Sequence, residues 1–579
     1  MAKYTYSPAG STLAPSFRDR SPPPPYPASG SGSGSGSSSR SSGRHTPSER
    51  TSLLAIWKNA DPGDIYPSAP PRSSTSGSFV IASIVAFFTL VVGLSCYFAL
   101  TRTQARDSFL GPPPVHSIAI IGAGPAGISA AEHLYQRAKD RGIYINITIF
   151  ESAPIIGGQL ALNSSTGGPV FPYDDIAQDP IIAEDIAGTA LLWGNPLFTK
   201  TSEKTLGDHV EIAESGSQLA SYFMGSGIIA QTTRPYSKTP TTDWMGLIFR
   251  YGSSVWSAGA MAKQGAELQD LLPNAPLVPD ISQLLISMGI VDYARKTTSN
   301  ELNDRGIGGA YVPEILAPEV SRTYAQQVGD MSALSLMLAS GIEDTATAYV
   351  GGEFLERADL VVGAIGADVR ESTEVRGIKY AQIDEHDFSW LVHYSIPATP
   401  DRFVAEPFEK VILAAPRLDL YQGIAAEDVA AVSALTYRDA YIAFFTVSRR
   451  IGKYGGEAIN QVMFTENALG PIREIMFVRD VNRIAEDGSS TVEYLYRAVS
   501  DEDSVEQLEH LDVGITWIYQ KKLENAYPST FPANRFPPFK LSNNGLWWTS
   551  AIHTLASTID LSCLAGKVVA EQLISEIRR

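Results

Sequence analysis

One stretch constrains this chain more than any other: Ser117-Ile-Ala-Ile-Ile-Gly-Ala-Gly-Pro-Ala-Gly-Ile-Ser-Ala-Ala-Glu132. The apolar run Ile118 to Ile121 reads as a buried strand, and the small residues after it read as a helix. Between them, Gly122 allows a tight turn and Gly124 lets the backbone approach a pyrophosphate. Gly127 lets the helix pack closely on the sheet, and Pro125 and Ala126 complete the turn. The helix N-terminus offers free N–H groups and a partial positive charge to phosphate. A second strand, Ile145 to Phe150, ends at Glu151, where a carboxylate can accept hydrogen bonds from the hydroxyls of an adenosine ribose. The expectation is an α/β dinucleotide-binding fold.

Beyond Glu151 the chain runs Ser-Ala-Pro-Ile-Ile-Gly-Gly-Gln-Leu160. A Gly-Gly pair at this distance resembles the extended motif of amine-oxidase-like flavoproteins and points to FAD, with Gly158 and Gln159 as further cofactor contacts. Those proteins carry Arg after the glycines. Gln159 can donate a hydrogen bond there but brings no charge. NAD(P) as the sole cofactor is the alternative.

Residues 1–77 include Pro22 to Pro25 and a Gly/Ser run from Ser29 to Gly43, a composition that cannot bury a core, so they read as a disordered tail. Residues 78–100 carry no charge. As a helix they would span roughly 35 Å, enough for a bilayer core, so they read as one transmembrane helix. Residues 101–114 read as a linker. The tail holds eight Lys/Arg against four Asp/Glu. Its basic flank, and its length without a signal peptide, favour a cytosolic tail and a lumenal domain. Glu49-Arg-Thr-Ser-Leu-Leu54 has the acidic dileucine form read by sorting adaptors, which suggests a vacuolar or lysosomal address.

The chain as a whole stands at −17, which argues against nucleic-acid binding. Its two cysteines, Cys96 and Cys563, leave no disulfide framework and no thiolate metal site. Asn163-Ser-Ser, in a polar loop, is the better of two glycosylation sequons. From Asp243 to Gln326 the pattern is mostly helical. Asp185 to Phe198 reads as a turn feeding a helix. Strand-like runs follow at Thr345–Val350, Leu360–Ile365, Lys410–Ala415, Ala440–Val447 and Thr491–Ala498. The expected fold is therefore a Rossmann-type FAD-binding domain over residues 115–579. A helical and antiparallel substrate domain would be interleaved with it, at about 190–345 and 365–540.

With these segments in order, the sequence resembles the prenylcysteine oxidase family, also called prenylcysteine lyases. Besides the glycine motif, the resemblance rests on Glu314-Ile-Leu-Ala-Pro-Glu-Val-Ser-Arg-Thr-Tyr-Ala-Gln326, Val350-Gly-Gly-Glu-Phe354 and Val411-Ile-Leu-Ala-Ala-Pro416. It rests too on Asn544-Gly-Leu-Trp-Trp-Thr-Ser550 with Ala556 to Ser562. Two features depart from the family. Its Gly-Gly-Ser-x-x-His segment stands here as Gly188-Thr189-Ala190, and its Arg is Gln159.

The resemblance implies FAD-dependent oxidation of the S-prenylcysteine thioether by O₂, releasing cysteine, an isoprenoid aldehyde and hydrogen peroxide. It also places Ser557, Thr558 and Ile559, at the start of a C-terminal helix, beside the flavin ring. The alternatives are an amine-oxidase-like enzyme with another donor and a non-catalytic FAD-binding relic. Such chemistry needs no catalytic triad, because the cofactor takes the electrons. No catalytic side chain is assigned. His553, Arg322 and Tyr324 are candidates that can equally be structural.

Overall fold

The computed structural model describes residues 89–95, 113–158, short strands between 190 and 234, and, with brief gaps, 241–577. Met1–Ala105 and Arg106–Arg579 form separate compact units. In the first, residues 89–95 are helical. Among the described residues no helix is long and apolar enough to cross a membrane. The rest of the expected anchor, the sorting motif at Glu49–Leu54, Asn163, Gln159 and Ser557 lie outside the described residues, as do Gly188 and Thr189.

The second unit is built on a six-stranded sheet. Val115–Ile121 lies between Lys410–Leu413 and Tyr144–Phe150, with Asp368–Arg370 beyond Tyr144–Phe150 on one side. On the other side Leu546–Trp548 follows Lys410–Leu413, and Lys540–Ser542 forms the edge. Every pairing is parallel except that of Lys540–Ser542. Ile118, Ala119, Ile120, Val411, Ile412 and Leu413 are fully buried, as parallel strands covered on both faces require. The 365–540 range expected as the second part of the insert thus also supplies two strands to this sheet.

Helix Pro125–Arg141 crosses the C-terminal helix Ile559–Ile577 at small residues. A Cβ on Gly566 would fall well inside contact distance of Ala126 O, and Ser129 Oγ donates to Cys563 O at 2.8 Å. Close approach makes that bond possible.

Two further large sheets follow, the first antiparallel and the second antiparallel except where Gln461–Phe464 pairs in parallel with Gln218–Met224. Val375–Asp384, Asp387–Ile396 and Thr399–Phe408 make a three-stranded sheet. Its Tyr394 and Phe408 pack on Phe150, with ring centroids 5.0 and 5.8 Å away. The larger sheet runs Ile515–Pro528, Tyr437–Val447, Ser490–Ser500, Ile472–Ile484, Gln461–Phe464, Gln218–Met224 and Gly227–Arg234. Helices between Thr241 and Asp344 pack against it.

Two local readings are corrected. Leu360–Ile365 is the end of helix Gly352–Ile365, not a strand. Ala358, Val361 and Val362 are its buried side chains, a helical spacing that the local Leu-Val-Val run conceals. In the Asp185–Phe198 segment, Ala190–Leu192 is a strand paired with Thr347–Tyr349. Ala and Leu favour helix, and a tertiary pairing overrides that weak preference.

Candidate active site

At the carboxyl ends of the parallel strands, three separate segments meet at the glycine turn. Gly122 has φ of +103°, and a Cβ there would lie 2.7 Å from Ala414 O. A Cβ on Gly127 would overlap Gly122 O and come within 3.4 Å of the Ala414 Cβ. The Ala-Ala-Pro end of the Lys410–Leu413 strand therefore closes one wall of the turn. Trp548 of the next strand holds that wall by donating its Nε1–H to Ala415 O at 3.1 Å.

Gly124 differs from its neighbours in an informative way. Its backbone is extended, with φ −75° and ψ −177°, a conformation any residue adopts. The nearest atom to a Cβ there is Gly158 Cα, at an ordinary 3.8 Å. Nothing in the chain itself demands glycine at 124. Glycine there leaves the bare backbone open to close approach by a ligand, as a pyrophosphate requires. Gly124 caps helix Pro125–Arg141 without a side-chain cap, so the helix N-terminus remains open for an anion.

The Gly157-Gly158 loop folds over this turn. Gly157 N–H donates to Ala123 O at 2.9 Å, and a Cβ on Gly158 would stand 3.1 Å from Gly124 Cα. Glu151 is buried at the end of its strand. Its Oε2 accepts from Ala123 N–H and its Oε1 from Ala153 N–H, each at 2.8 Å. Ser152 Oγ also donates to Oε1 at 3.4 Å, so Oε2 keeps the freer lone pair for a ribose hydroxyl. A bare-backbone cradle, an open helix end and a held carboxylate fit the adenosine diphosphate half of FAD.

On the far wall, Thr558 Oγ1 accepts from Leu561 N–H at 3.2 Å and caps the helix beginning at Ile559. Cys563, one turn on, places its Sγ 3.9 Å from Pro125 O. Thr558 and Ile559 thus open a helix that runs against the glycine turn. His553 lies in the short turn Thr549–Thr554, with its Nδ1 3.0 Å from Tyr437 Oη. Atoms crowded around the ring lower its pKa to about 4 by desolvation. At neutral pH it is an uncharged hydrogen-bonding partner of Tyr437.

The Glu314–Gln326 segment lies in the helical layer, and its end meets the strand of Tyr437 where Arg438 Nη1 donates to Ala325 O at 2.8 Å. It forms a π-helical turn, Val312–Leu316, and then helix Ala317–Tyr324. Its polar side chains fasten the helical layer to the large sheet. Tyr222 Oη donates to Glu319 at 2.6 Å, Arg322 Nε lies 3.9 Å from Glu474, and Gln326 Oε1 accepts from Thr530 N–H at 2.9 Å. Arg497 donates to Glu474 at 2.8 Å, and Gln461 donates to it as well. Burial raises the Glu474 carboxyl pKa, and Arg497, Arg322 and the Gln461 amide outweigh it, leaving the carboxyl below the usual carboxylate range. Arg322 joins the layers here, and Tyr324 is buried. Sequence reasoning missed Gly157 as a contact of the turn. Its place beside Gly158 was the available signal.

Comparison with known proteins agrees with this geometry. A family model described as FAD-NAD(P)-binding matches residues 119–167. Wild-type putrescine oxidase bound to putrescine is similar in fold, with TM-score 0.50 and 13% identity over 80% of this chain and all of that one. A double mutant of putrescine oxidase gives TM-score 0.51 at the same identity and coverage. No curated protein matches the sequence significantly. The cofactor is FAD, and the protein is a flavin-dependent oxidoreductase. The prenylcysteine lyase model matches residues 244–579, more than half of the sequence, across the helical layer, the three-stranded sheet, five strands of the larger sheet and the C-terminal helix; the chain belongs to the prenylcysteine lyase family.

Proposed function

We propose that this protein oxidises the thioether of S-prenylcysteine. The observation that carries the reading is the family match over residues 244–579, joined to a nucleotide cradle at the glycine turn. The net reaction takes S-prenylcysteine, O₂ and water to cysteine, an isoprenoid aldehyde and hydrogen peroxide. When bound, FAD supplies the two-electron acceptor that O₂ restores.

The chain's own contribution is position and dryness. Gly122 to Gly127, Glu151 and Gly158 hold the nucleotide end. Helix Ile559–Ile577 directs its positive N-terminus at the wall where Thr558 stands, favouring negative charge that develops there. Tyr437 and His553 stay uncharged, because burial raises the phenol pKa and lowers the imidazole pKa. The fully buried Trp547 and Trp548 exclude water behind the turn.

The same proposal places the domain in a vacuolar or lysosomal lumen, on an anchor at 78–100. Leu90, Val91, Val92 and Leu94 are exposed on the helix at 89–95, which supports a lipid-facing segment. The test is peroxide release by the purified yellow protein on adding S-farnesylcysteine, with protease protection of the domain in sealed vesicles. Flavin content without peroxide would leave an FAD-binding protein and remove the thioether reading. Digestion from the cytosolic side would remove the lumenal one.

A further inference from the structure

Helix Thr241–Tyr251 is apolar on more than its buried side. Leu247 and Tyr251 face the core, yet Met245 and Phe249, one turn apart, are 53% and 85% exposed. A surface helix ordinarily hides one apolar stripe and shows polar residues to water. Gly252, at φ +63°, turns the chain into helix Ser254–Leu271, and Trp256 near its start is 63% exposed. Trp256 stacks on Trp244, with ring centroids 6.0 Å apart and planes 9° from parallel. The stack holds the indole in place at the corner between the two helices. Large apolar side chains held in water in this way mark a docking surface.

Charge says what docks there. The whole chain stands at −17, yet from residue 243 to 263 it carries just Asp243, Arg250 and Lys263. Arg250 is paired with Glu314, 2.8 Å away, so the corner is close to neutral. Most of such an acidic surface is repelled by anionic headgroups, and a neutral aromatic corner is not. Tryptophan and phenylalanine on a helix are side chains that settle between headgroups and acyl chains. Arg250 and Lys263 have long stems that let their charges stay at the level of the phosphates.

Chain length supplies the occupant. If residues 78–100 lie in a bilayer, the 14 residues 101–114 reach at most about 50 Å when fully extended. A domain on so short a tether meets the bilayer surface at high effective concentration, so a small apolar contact is enough to hold it.

We propose that the corner of Met245, Phe249 and Trp256 docks the domain onto the phospholipid bilayer that holds the chain's own anchor. The assignment rests on the anchor reading above and adds a second, reversible contact with the same membrane.

The experiment uses the full-length FAD-loaded protein in phosphatidylcholine–phosphatidylserine vesicles. These contain a phosphatidylcholine with a diazirine on its acyl chain, and adducts are mapped by mass spectrometry. Adducts are expected in residues 78–100 and, as a separate cluster, in residues 244–256. The double variant Phe249→Asp with Trp256→Gln should lose the second cluster about tenfold, because interfacial binding scales with buried apolar area, and keep the first. Its flavin content should match wild type, since both side chains project into water. A benzophenone amino acid in place of Met245 should crosslink to lipid.

Adducts in 78–100 alone would overturn the docking face and keep the anchor. Adducts in 244–256 alone would keep the docking face and remove the anchor. A second cluster indifferent to the double variant would overturn the assignment. So would a position-245 crosslink to a second copy of the chain or to its own residues 159–212 instead of lipid. Absence of adducts from both segments would overturn both readings.

Discussion

Ala123 N–H donates to Glu151 Oε2 at 2.8 Å, tying the first residue inside the glycine turn to the carboxylate that ends the neighbouring strand. The Ala153 N–H fixes the other oxygen at the same distance. The turn and the ribose acid therefore form one rigid unit. Replacing the acid leaves two backbone donors without partners, at about 1–3 kcal/mol for each that water cannot reach. Glu151→Ala is expected to lower the unfolding free energy by about 2–6 kcal/mol and to strip the purified protein of flavin. Glu151→Gln, which keeps one acceptor oxygen, should lose less of both. Thermal denaturation and the 450 nm to 280 nm absorbance ratio check this, and a flavin-replete alanine variant would contradict it.

Gly124 and Gly127 should fail differently. A Cβ at 124 makes only ordinary contact with Gly158 Cα, at 3.8 Å, so Gly124→Val is expected to fold, changing the stability of flavin-free protein by no more than about 2 kcal/mol, the range of N-cap effects. It should nonetheless purify without flavin. Gly127→Val drives its Cβ into Gly122 O and should yield little soluble protein. Retained flavin in Gly124→Val would show that the pyrophosphate does not pass there.

Glu474 and Arg497 are 1% and 2% exposed and share a 2.8 Å bond. Removing one partner strands a buried charge, so Arg497→Met should cost about 3–5 kcal/mol. The double variant Arg497→Met with Glu474→Leu is expected to regain at least half of that loss. Urea denaturation of the two singles and the double measures the coupling. Additive losses would mean that the pair does not interact.

Acid should weaken the fold through His133. This residue is buried in helix Pro125–Arg141, with Nδ1 2.8 Å from Ser129 O, and desolvation lowers its pKa from 6.5 to about 4. The unfolded chain takes up this proton first. The stability tied to a neutral His133 is therefore full above pH 6.5 and declines as pH falls from 6.5 to about 4, by up to about 3 kcal/mol. His133→Gln should flatten that part of the profile, measured by urea midpoints at pH 7.5, 6, 5 and 4. An unchanged slope would assign the acid sensitivity to other groups.

The local pattern alone determined the core of this protein. The run from Ile118 to Gly127, and Glu151 at the end of a second apolar strand, specify a strand, turn, helix and strand, because short-range geometry leaves those residues few other conformations. The helical stretch after Asp243 was legible for the same reason. Tertiary structure decided which distant pieces complete the site. Ala414 reaches the turn because its strand pairs in parallel with Ile118–Ile121, nearly 300 residues earlier, and Trp548 because its own strand pairs in parallel with that of Ala414. It also decided that Leu360–Ile365 is helical, and that Arg322 meets Glu474 while Glu314 holds Arg250. Such contacts depend on sheet order and layer packing, and no spacing within one segment encodes them.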